Sequence, residues 1–228
     1  MLLHKNRVIF LAITLALFST SSFANTNFTG FYLGAVLGYS YVPLNFISRT
    51  VEYTSTSERD YHLNGPVGGV EFGYGAVIKN NYYLGLDFMG LLNNVSSTET
   101  FSATGSSQKL ELKQKNHYGL DLHAGYVLQD NILLYGIAGY SQGSFNAKER
   151  NVVGTTFDKT CEKSATLSGL DLGFGAKFSI SSHVDMDIKY IYTNYNSFPQ
   201  LVSASSFSKN DKYSPKSHLF ALGVLYKF

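Results

Sequence analysis

The sequence predicts an all-β fold, an eight-stranded antiparallel up-and-down transmembrane β-barrel. Three observations predict it. Eight segments alternate between large apolar residues and small or polar ones, short and long connectors alternate between these segments, and the last segment ends on Phe228 without a polar tail. An alternation with a period of two is typical of a strand whose two faces meet different surroundings.

The N-terminal residues 1–24 have the pattern of a secretory signal peptide. Basic residues precede an apolar run at residues 8–18, and Ser22 and Ala24 fit a small-x-small cleavage site. The apolar run is about 11 residues, shorter than the roughly 20 that a spanning helix needs, so a retained anchor helix is the weaker alternative. We therefore expect residues 25–228 to form one exported barrel domain.

The composition argues against several classes of protein. A formal net charge of +2 argues against nucleic acid as a partner. Charged residues make up 15% of the chain, below the roughly 25% of ordinary soluble domains. The single cysteine, Cys161, cannot form an internal disulfide. It lies in a polar stretch and is interpreted as an exposed thiol, with an intermolecular bridge as the alternative.

The first four segments separate large side chains from small or polar ones. They are residues 31–40, 68–78, 82–92 and 118–128. Leu and aromatic residues recur at every second position on one face of each segment. The opposite faces are rich in Gly and carry the ionic or ionisable residues Glu71, Asp87, Asp121 and His123. Each segment therefore predicts a strand with one apolar face.

The last four segments are residues 131–141, 169–180, 183–192 and 218–228. The first of these is the weakest prediction, because its two faces are nearly alike. The other three again have one large apolar face. Their opposite faces carry the ionic residues Asp171, Lys177, Asp185, Asp187, Lys189 and Lys227.

The connectors alternate in length along the chain. Residues 79–81, 129–131 and 181–183 are short and contain Asn, Asp and Ser, which favour tight turns. The other connectors are long and polar, at about residues 41–65, 93–108, 146–167 and 196–216. With eight antiparallel strands, all short turns lie at one end of the sheet and all long loops at the other. Membrane barrels have this asymmetry, with short periplasmic turns and long extracellular loops.

Volume predicts which face of the sheet points outward. An eight-stranded barrel has an interior only wide enough to be filled by side chains. We expect the Gly-rich and ionic face inside and the bulky face against lipid, with aromatic girdles formed by Phe31, Tyr39, Tyr82, Tyr126, Tyr140, Phe178, Tyr190, Tyr192 and Phe228. The alternative, a secreted lipocalin-like barrel, would need polar residues on the outer face of each strand.

Several of these segments resemble a known family. The stretches GFYLGAVLGYS, VEFGYG, LGLDF, LLYGIAGYS, GFGAKF and MDIKYIY, followed by a terminal Phe, look like the small eight-stranded outer-membrane barrels. These include the opacity-protein and surface-antigen group and the transmembrane domain of outer-membrane protein A. The resemblance implies integration into a bacterial outer membrane and implies that Tyr226 and Phe228 form the C-terminal signal for the outer-membrane assembly machinery. No peptidoglycan-binding domain follows the barrel segments, so a cell-wall tether is not expected.

Ten ionisable side chains are predicted inside the barrel. Because sequential strands pair, Lys177 and Asp187 are expected to meet across the sixth and seventh strands. A buried charge is tolerated when it is paired and hydrogen-bonded, so these residues predict a polar plug. The alternative is a narrow ion path, in which the excess of acid would favour cations. The set is Glu71, Asp87, Asp121, His123, Asp171, Lys177, Asp185, Asp187, Lys189 and Lys227.

Catalysis, metals and cofactors find little support in the sequence. Ser181, Ser182 and His183 lie in a short turn, and Ser217 and His218 are adjacent strand residues that point to opposite faces. The histidines lack ligand spacing, so neither a metal nor a cofactor is expected. A lipid-modifying outer-membrane enzyme is the weakest of the functional alternatives.

The long polar loops are expected to carry any specific function, because loops on rigid scaffolds carry binding. We expect a surface antigen or structural membrane protein, with adhesion to a host ligand as one possible role. The expected partners are membrane lipid, lipopolysaccharide and the assembly machinery.

Overall fold

The computed structural model describes residues 27–49, 56–79, 81–103, 106–153, 157–196 and 215–228, so the predicted signal peptide lies outside the described residues. No helix in these ranges is long and apolar enough to cross a membrane. The described residues form eight strands: β1 (Gly30–Arg49), β2 (Thr56–Ile78), β3 (Tyr82–Ala103), β4 (Ser106–Gln129), β5 (Ile132–Val153), β6 (Phe157–Ser181), β7 (Val184–Tyr195) and β8 (Lys216–Lys227).

The eight strands form one closed antiparallel barrel in which each strand pairs with its neighbours in sequence and β8 pairs with β1. Paired residues followed once around the barrel lead from Phe31 on β1 back to Tyr41 on the same strand, ten residues further along. This stagger means that the strands tilt against the barrel axis, typically by about 35–45°. Closure leaves no free edge where the barrel meets lipid.

Side chains alternate between the interior and the outer surface along every strand. On β8, Phe220, Leu222, Val224 and Tyr226 are 51–60% exposed, whereas the residues between them are buried. The predicted orientation is confirmed, with the large apolar face outside.

Aromatic residues form two bands on the outer surface. One band lies near the short turns and the other lies where the apolar surface gives way to the polar strand ends, as expected for girdles at the two membrane interfaces. The first band includes Phe31, Tyr74, Tyr82, Tyr126, Tyr226 and Phe228, and the second Tyr39, Tyr118, Tyr140 and Phe220.

The short turns follow the prediction and are tied to the adjoining strand. The carbonyl oxygens of Asn81, Asn131 and His183 accept hydrogen bonds from backbone N–H groups of β4, β6 and β8, at 2.8–2.9 Å. In the first turn Lys79 has a positive φ of 46°, in the left-handed region that some tight turns use. Each turn therefore fixes the register of two hairpins.

The predicted long loops are wrong for most of their length, because the strands extend far beyond the membrane. Residues 41–49 and 56–65, 93–103 and 106–108, and 146–153 and 157–167 are paired strand. The sequence does not predict these strand extensions, because a period of two appears only when the two faces of a strand meet different surroundings. The extensions have no sustained alternation in sequence, although Val42, Leu63 and Val95 are buried in them. Most of the fourth predicted loop, residues 196–216, lies outside the described residues.

The interior is less uniformly small and ionic than predicted. Large buried side chains include Met89, Leu91, Leu133, Ile191 and Leu225. Glycines at the paired positions of adjacent strands leave room for large inward side chains. A Cβ built on Gly73 would lie 2.6 Å from the ring of Tyr32, and one on Gly175 would lie 2.5 Å from the ring of Tyr135. Tyrosines inside the barrel thus occupy space that these glycines leave open.

Candidate functional site

The most central ion pairs cross the barrel interior from β7 to β2. Lys189 on β7 donates a hydrogen bond to Glu71 on β2, and its Nζ lies 3.2 Å from the Oδ2 atom of Asp187. These three side chains are at most 2% exposed. Because β2 and β7 are not neighbours in the sheet, the Lys189–Glu71 pair spans the lumen instead of following the wall.

Tyrosine hydroxyls extend these ion pairs across the barrel. Tyr135 donates a hydrogen bond of 2.5 Å to Asp187, and its ring stacks on His123 with the centroids 4.6 Å apart. His123 Nδ1 lies 3.3 Å from Asp87, which also accepts a hydrogen bond from Tyr32. We call this group the charge ladder: Glu71, Lys189, Asp187, Tyr135, His123, Asp87 and Tyr32.

Lys177 and Asp187 are register partners on β6 and β7, as the strand order predicted. The Lys177 ammonium, however, lies over the ring of Tyr32 at 4.1 Å, with the rings of Tyr135 and Tyr83 at 5.5 and 5.8 Å. No described residue makes a hydrogen bond of good geometry with its Nζ. Cation–π attraction is strong when the cation is desolvated, so these rings take the place of a direct ion pair.

The end of the barrel near the short turns has its own ion pair. Lys227 Nζ lies 2.9 Å from Asp185 Oδ1 and also donates to the carbonyl of Asn27 and to Ser179 Oγ. The chain that leads into β1 is thereby fixed under the barrel, where Phe28 is buried with its ring 5.7 Å from the same ammonium.

The remaining two predicted carboxyl groups lie apart from the lysines. Asp171 accepts a hydrogen bond of 2.9 Å from Ser141, and Asp121 and Asp171 have no ion pair with a lysine among the described residues. The structure thus distributes the ten predicted ionisable residues over three groups: the charge ladder with Lys177, the Lys227–Asp185 pair, and these two aspartates.

Sequence analysis missed the uncharged members of the interior. Tyr32, Tyr83 and Tyr135 hold or surround the charges, and Gln114, His117 and Tyr195 form a further hydrogen-bonded group. The signal was present for the first three. Each occupies a position in phase with inward Gly or Asp residues, and a tyrosine there needs a polar partner.

Phe228 and Tyr226, the predicted assembly signal, point outward. They are 76% and 51% exposed, and their rings make an edge contact with centroids 5.4 Å apart. The backbone N–H of Phe228 donates to the carbonyl of Phe31 at 3.0 Å, which joins the last residue to β1.

The serine–histidine pairs do not assemble a nucleophile with an oriented base. Ser182 Oγ lies 2.8 Å from His183 Nδ1 in an exposed turn, and His183 also stacks on Tyr226. Ser217 points inward to Ser40, whereas His218 points outward to the hydroxyl of Tyr190. A serine nucleophile needs a base that a third group holds in place, and neither pair has one among the described residues.

The described ranges also lack the side-chain arrangement that a metal site needs. No three His, Cys, Asp or Glu side chains there are arranged to hold a metal ion.

The chain belongs to the outer membrane protein β-barrel domain family, whose model matches residues 10–228. The 31 kDa outer-membrane immunogenic proteins of Brucella melitensis and Brucella suis are similar to it, at 26% identity over 213 residues that cover 89% of this chain and 84% of each relative. This chain is therefore an integral β-barrel protein of the bacterial outer membrane.

Several solved structures are similar to this chain over most of its length at low identity. Ail, the attachment invasion locus protein of Yersinia pestis, is 15% identical, with 88% of this chain and 99% of Ail covered and a TM-score of 0.43. Neisserial surface protein A is 18% identical, with 88% and 98% covered and a TM-score of 0.43. The outer membrane protease OmpT of Escherichia coli is 10% identical, with 92% and 99% covered and a TM-score of 0.45.

Proposed function

We propose that this protein is a closed, non-conducting surface antigen of the outer membrane that acts through its extracellular strand extensions. The observation that carries this proposal is the filled interior. The charge ladder crosses the lumen, and apolar side chains close it on both sides. An eight-stranded barrel has just enough space for such a filling and none for a channel beside it.

Apolar residues lie at both ends of the filling. Near the short turns Phe28, Val77, Val127 and Leu133 are at most 3% exposed. Towards the extracellular end Val42, Leu63, Leu91, Val95 and Leu112 are at most 6% exposed. Ions lose their hydration shell in such layers, so the layers support a sealed barrel.

A small cation-permeable pore is the alternative, and conductance separates the two. The full chain, refolded and inserted into a planar bilayer, is compared with Asp187→Asn, which alters the centre of the charge ladder. We expect no steady current from either protein. A reproducible cation-selective current in the unaltered protein that changes in Asp187→Asn would establish the pore.

Adhesion is a second candidate function, and the open edge of β6 favours it. The pairing of β6 with β7 begins at Gly169. Over residues 157–167, the same side of β6 has no partner strand among the described residues. Residues 97–103 of β3 likewise have no described partner on β2. Such edges present backbone donors and acceptors to which an extended peptide can add. The name of the Brucella relatives, immunogenic protein, agrees with a surface that antibodies reach.

Trimming the extensions tests this role. One variant replaces residues 97–112 by a tight turn, a second replaces 146–164, and a matched control shortens the hairpin at 44–61. Binding of the bacteria to host cells and of antibodies raised against whole bacteria is measured. We expect the first two variants to lose more binding than the control. Adhesion through these edges is excluded if all three bind host cells as well as the intact protein does.

We infer that the barrel is not a catalyst, and the lack of an oriented serine–histidine pair in the described ranges supports this. Membrane lipid and lipopolysaccharide are the expected surroundings, and Phe228 with Tyr226 is the proposed contact for the assembly machinery. Mass spectrometry of lipids from cells with and without the protein tests whether the barrel modifies lipids. A mass change in phospholipid or lipid A that requires the protein would overturn it.

A further inference from the structure

A second polar group lies above the charge ladder, on the wall formed by β4, β5, β6 and β7. Gln114 Nε2 donates to the hydroxyl of Tyr195 at 3.3 Å, and this hydroxyl lies 2.9 Å from His117 Nδ1. Ser141 donates to Asp171 at 2.9 Å. We call these residues, together with Asp121, the upper polar cluster. All of its members are buried: Gln114, His117, Asp121, Ser141, Asp171 and Tyr195.

Three atoms of this cluster have no hydrogen-bond partner among the described residues. They are His117 Nε2, Asp121 Oδ1 and Asp171 Oδ2, all on side chains that are at most 4% exposed. No lysine forms an ion pair with either aspartate in the described ranges. Buried polar atoms normally have a partner in the protein or an ordered water, so this group calls for one.

Two of these atoms, His117 Nε2 and Asp171 Oδ2, border a space beside Gly119 together with Oδ2 of Asp121, whereas Asp121 Oδ1 lies beside Gly139. A Cβ built on Gly119 would lie 3.6 Å from His117 Nε2, 3.6 Å from Asp121 Oδ2 and 3.7 Å from Asp171 Oδ2. These are ordinary contacts, so no neighbouring backbone approaches closely at this position. Gly69 differs, because its Cβ would lie 2.0 Å from a backbone oxygen. Gly119 therefore borders a small space that is lined by one nitrogen and two carboxyl oxygens.

We infer that this space is a binding site for one water molecule. If the Tyr195 hydroxyl donates to His117 Nδ1, the imidazole hydrogen is on Nε2 and points towards the space. The water accepts that hydrogen and donates its own two to Asp121 and Asp171, so it has three partners, the usual number for a buried water. A bare nitrogen lone pair facing two carboxyl groups would be repulsive, which independently favours hydrogen on Nε2.

The histidine tautomer provides a test that is made on the unaltered protein, with a variant used only for assignment. The full chain is refolded in detergent micelles with ¹⁵N-labelled histidine, and His117→Gln assigns the signal. We expect an Nε2–H tautomer with an unprotonated Nδ1, and a cross-peak between this hydrogen and a long-lived water. A hydrogen on Nδ1 with a bare Nε2, or no water contact, overturns the inference.

Gly119→Ala tests the space itself, with Gly90→Ala as the matched control. A Cβ on Gly90 also makes only ordinary contacts, the nearest at 3.7 Å to Tyr118, but these are on the lipid-facing side. We expect Gly119→Ala to lower the folding equilibrium constant at least tenfold more than the control does and to remove the water signal. Equal effects of the two variants contradict the water site. Stability that depends on Na⁺, Mg²⁺ or Zn²⁺, and loses this dependence in Asp171→Asn, would show a cation instead and also overturn it.

Discussion

Replacing Lys189 by Met should destabilise the barrel by about 3–5 kcal/mol, because two buried carboxylates lose their cation. Lys189 bonds Glu71 and lies 3.2 Å from Asp187, and all three side chains are at most 2% exposed. Met is unbranched and apolar and can follow the same path through the interior, so the change removes charge more than packing. At about 1.4 kcal/mol per tenfold, the folding equilibrium constant should fall roughly 100- to 4,000-fold.

Lys113→Met is the matched control, because it removes a lysine from an exposed ion pair. Lys113 Nζ lies 2.5 Å from Glu111, but the two side chains are 50% and 27% exposed. Solvent-exposed pairs contribute about 0–1 kcal/mol, so this variant should unfold close to the unaltered protein. The comparison therefore isolates the effect of burial from the effect of losing an ion pair.

The assay is urea unfolding of protein refolded in lipid vesicles. The chain has no Trp, so the folded fraction is followed by gel mobility and circular dichroism. A difference of less than about 1 kcal/mol between the two variants would refute the argument that the buried charges depend on Lys189. If Lys189→Met fails to fold, Lys189→Met with Glu71→Gln should recover folding in part, because only one uncompensated carboxylate then remains.

Three further predictions concern the wall, the lipid-facing surface and the extensions. Gly69→Ala should cost about 1–3 kcal/mol in the same urea assay, because its Cβ meets backbone at 2.0 Å, whereas Gly136→Ala, with nothing nearer than 3.8 Å, should be close to neutral. Leu122→Lys should cost about 2–4 kcal/mol in vesicles, because Leu122 faces lipid midway between Tyr118 and Tyr126 of the two aromatic bands, and a variant that unfolds like the unaltered protein would contradict its placement. The hydrogen bond from Lys113 lowers the pKa of Glu111, so Lys113→Met should raise this pKa in a ¹³C NMR titration. Because the folded pKa is the lower one, the pair's small stabilisation is present at neutral pH and is lost as pH falls through that pKa. An unchanged titration would refute the contact.

The membrane-spanning strands could be predicted because lipid and the barrel interior are unlike surroundings. On β8 this difference alone assigns Phe220 and Leu222 to one face and Leu219 and Ala221 to the other. The tight turns were equally predictable, since Asn, Asp and Ser at residues 79–81, 129–131 and 181–183 leave few other structures.

The strand extensions could not be predicted in the same way. The extensions of β3, β4, β5 and β6 are polar at most positions on both faces, with buried exceptions such as Val95, Leu112 and Phe145, so a period of two is not apparent in their sequence. Only the pairing itself, for example Thr100 with Lys109 or Lys148 with Glu162, reveals the strands there. The polar sequence of these ranges therefore predicts loops where the structure has paired strands.

Which ionisable side chains contact each other inside the barrel could be predicted only in part. Sequence order predicted that Lys177 and Asp187 would be neighbours, and they are register partners. It could not predict that Lys189 would reach Glu71 across the lumen, because that contact joins strands far apart in sequence.

By itself the sequence determined eight alternating strands, three tight turns and a large apolar face that only lipid accommodates. The strand β5 was the weakest prediction, because its two faces are nearly alike. Tyr140 lies outside, as its place in the predicted girdle requires, but only the tertiary structure decided that Tyr135 and Ile137 lie inside and which partners the members of the charge ladder have. The physical reason is that a strand's alternation is local, whereas the contacts inside a closed barrel depend on its stagger and on which residues face each other across the lumen.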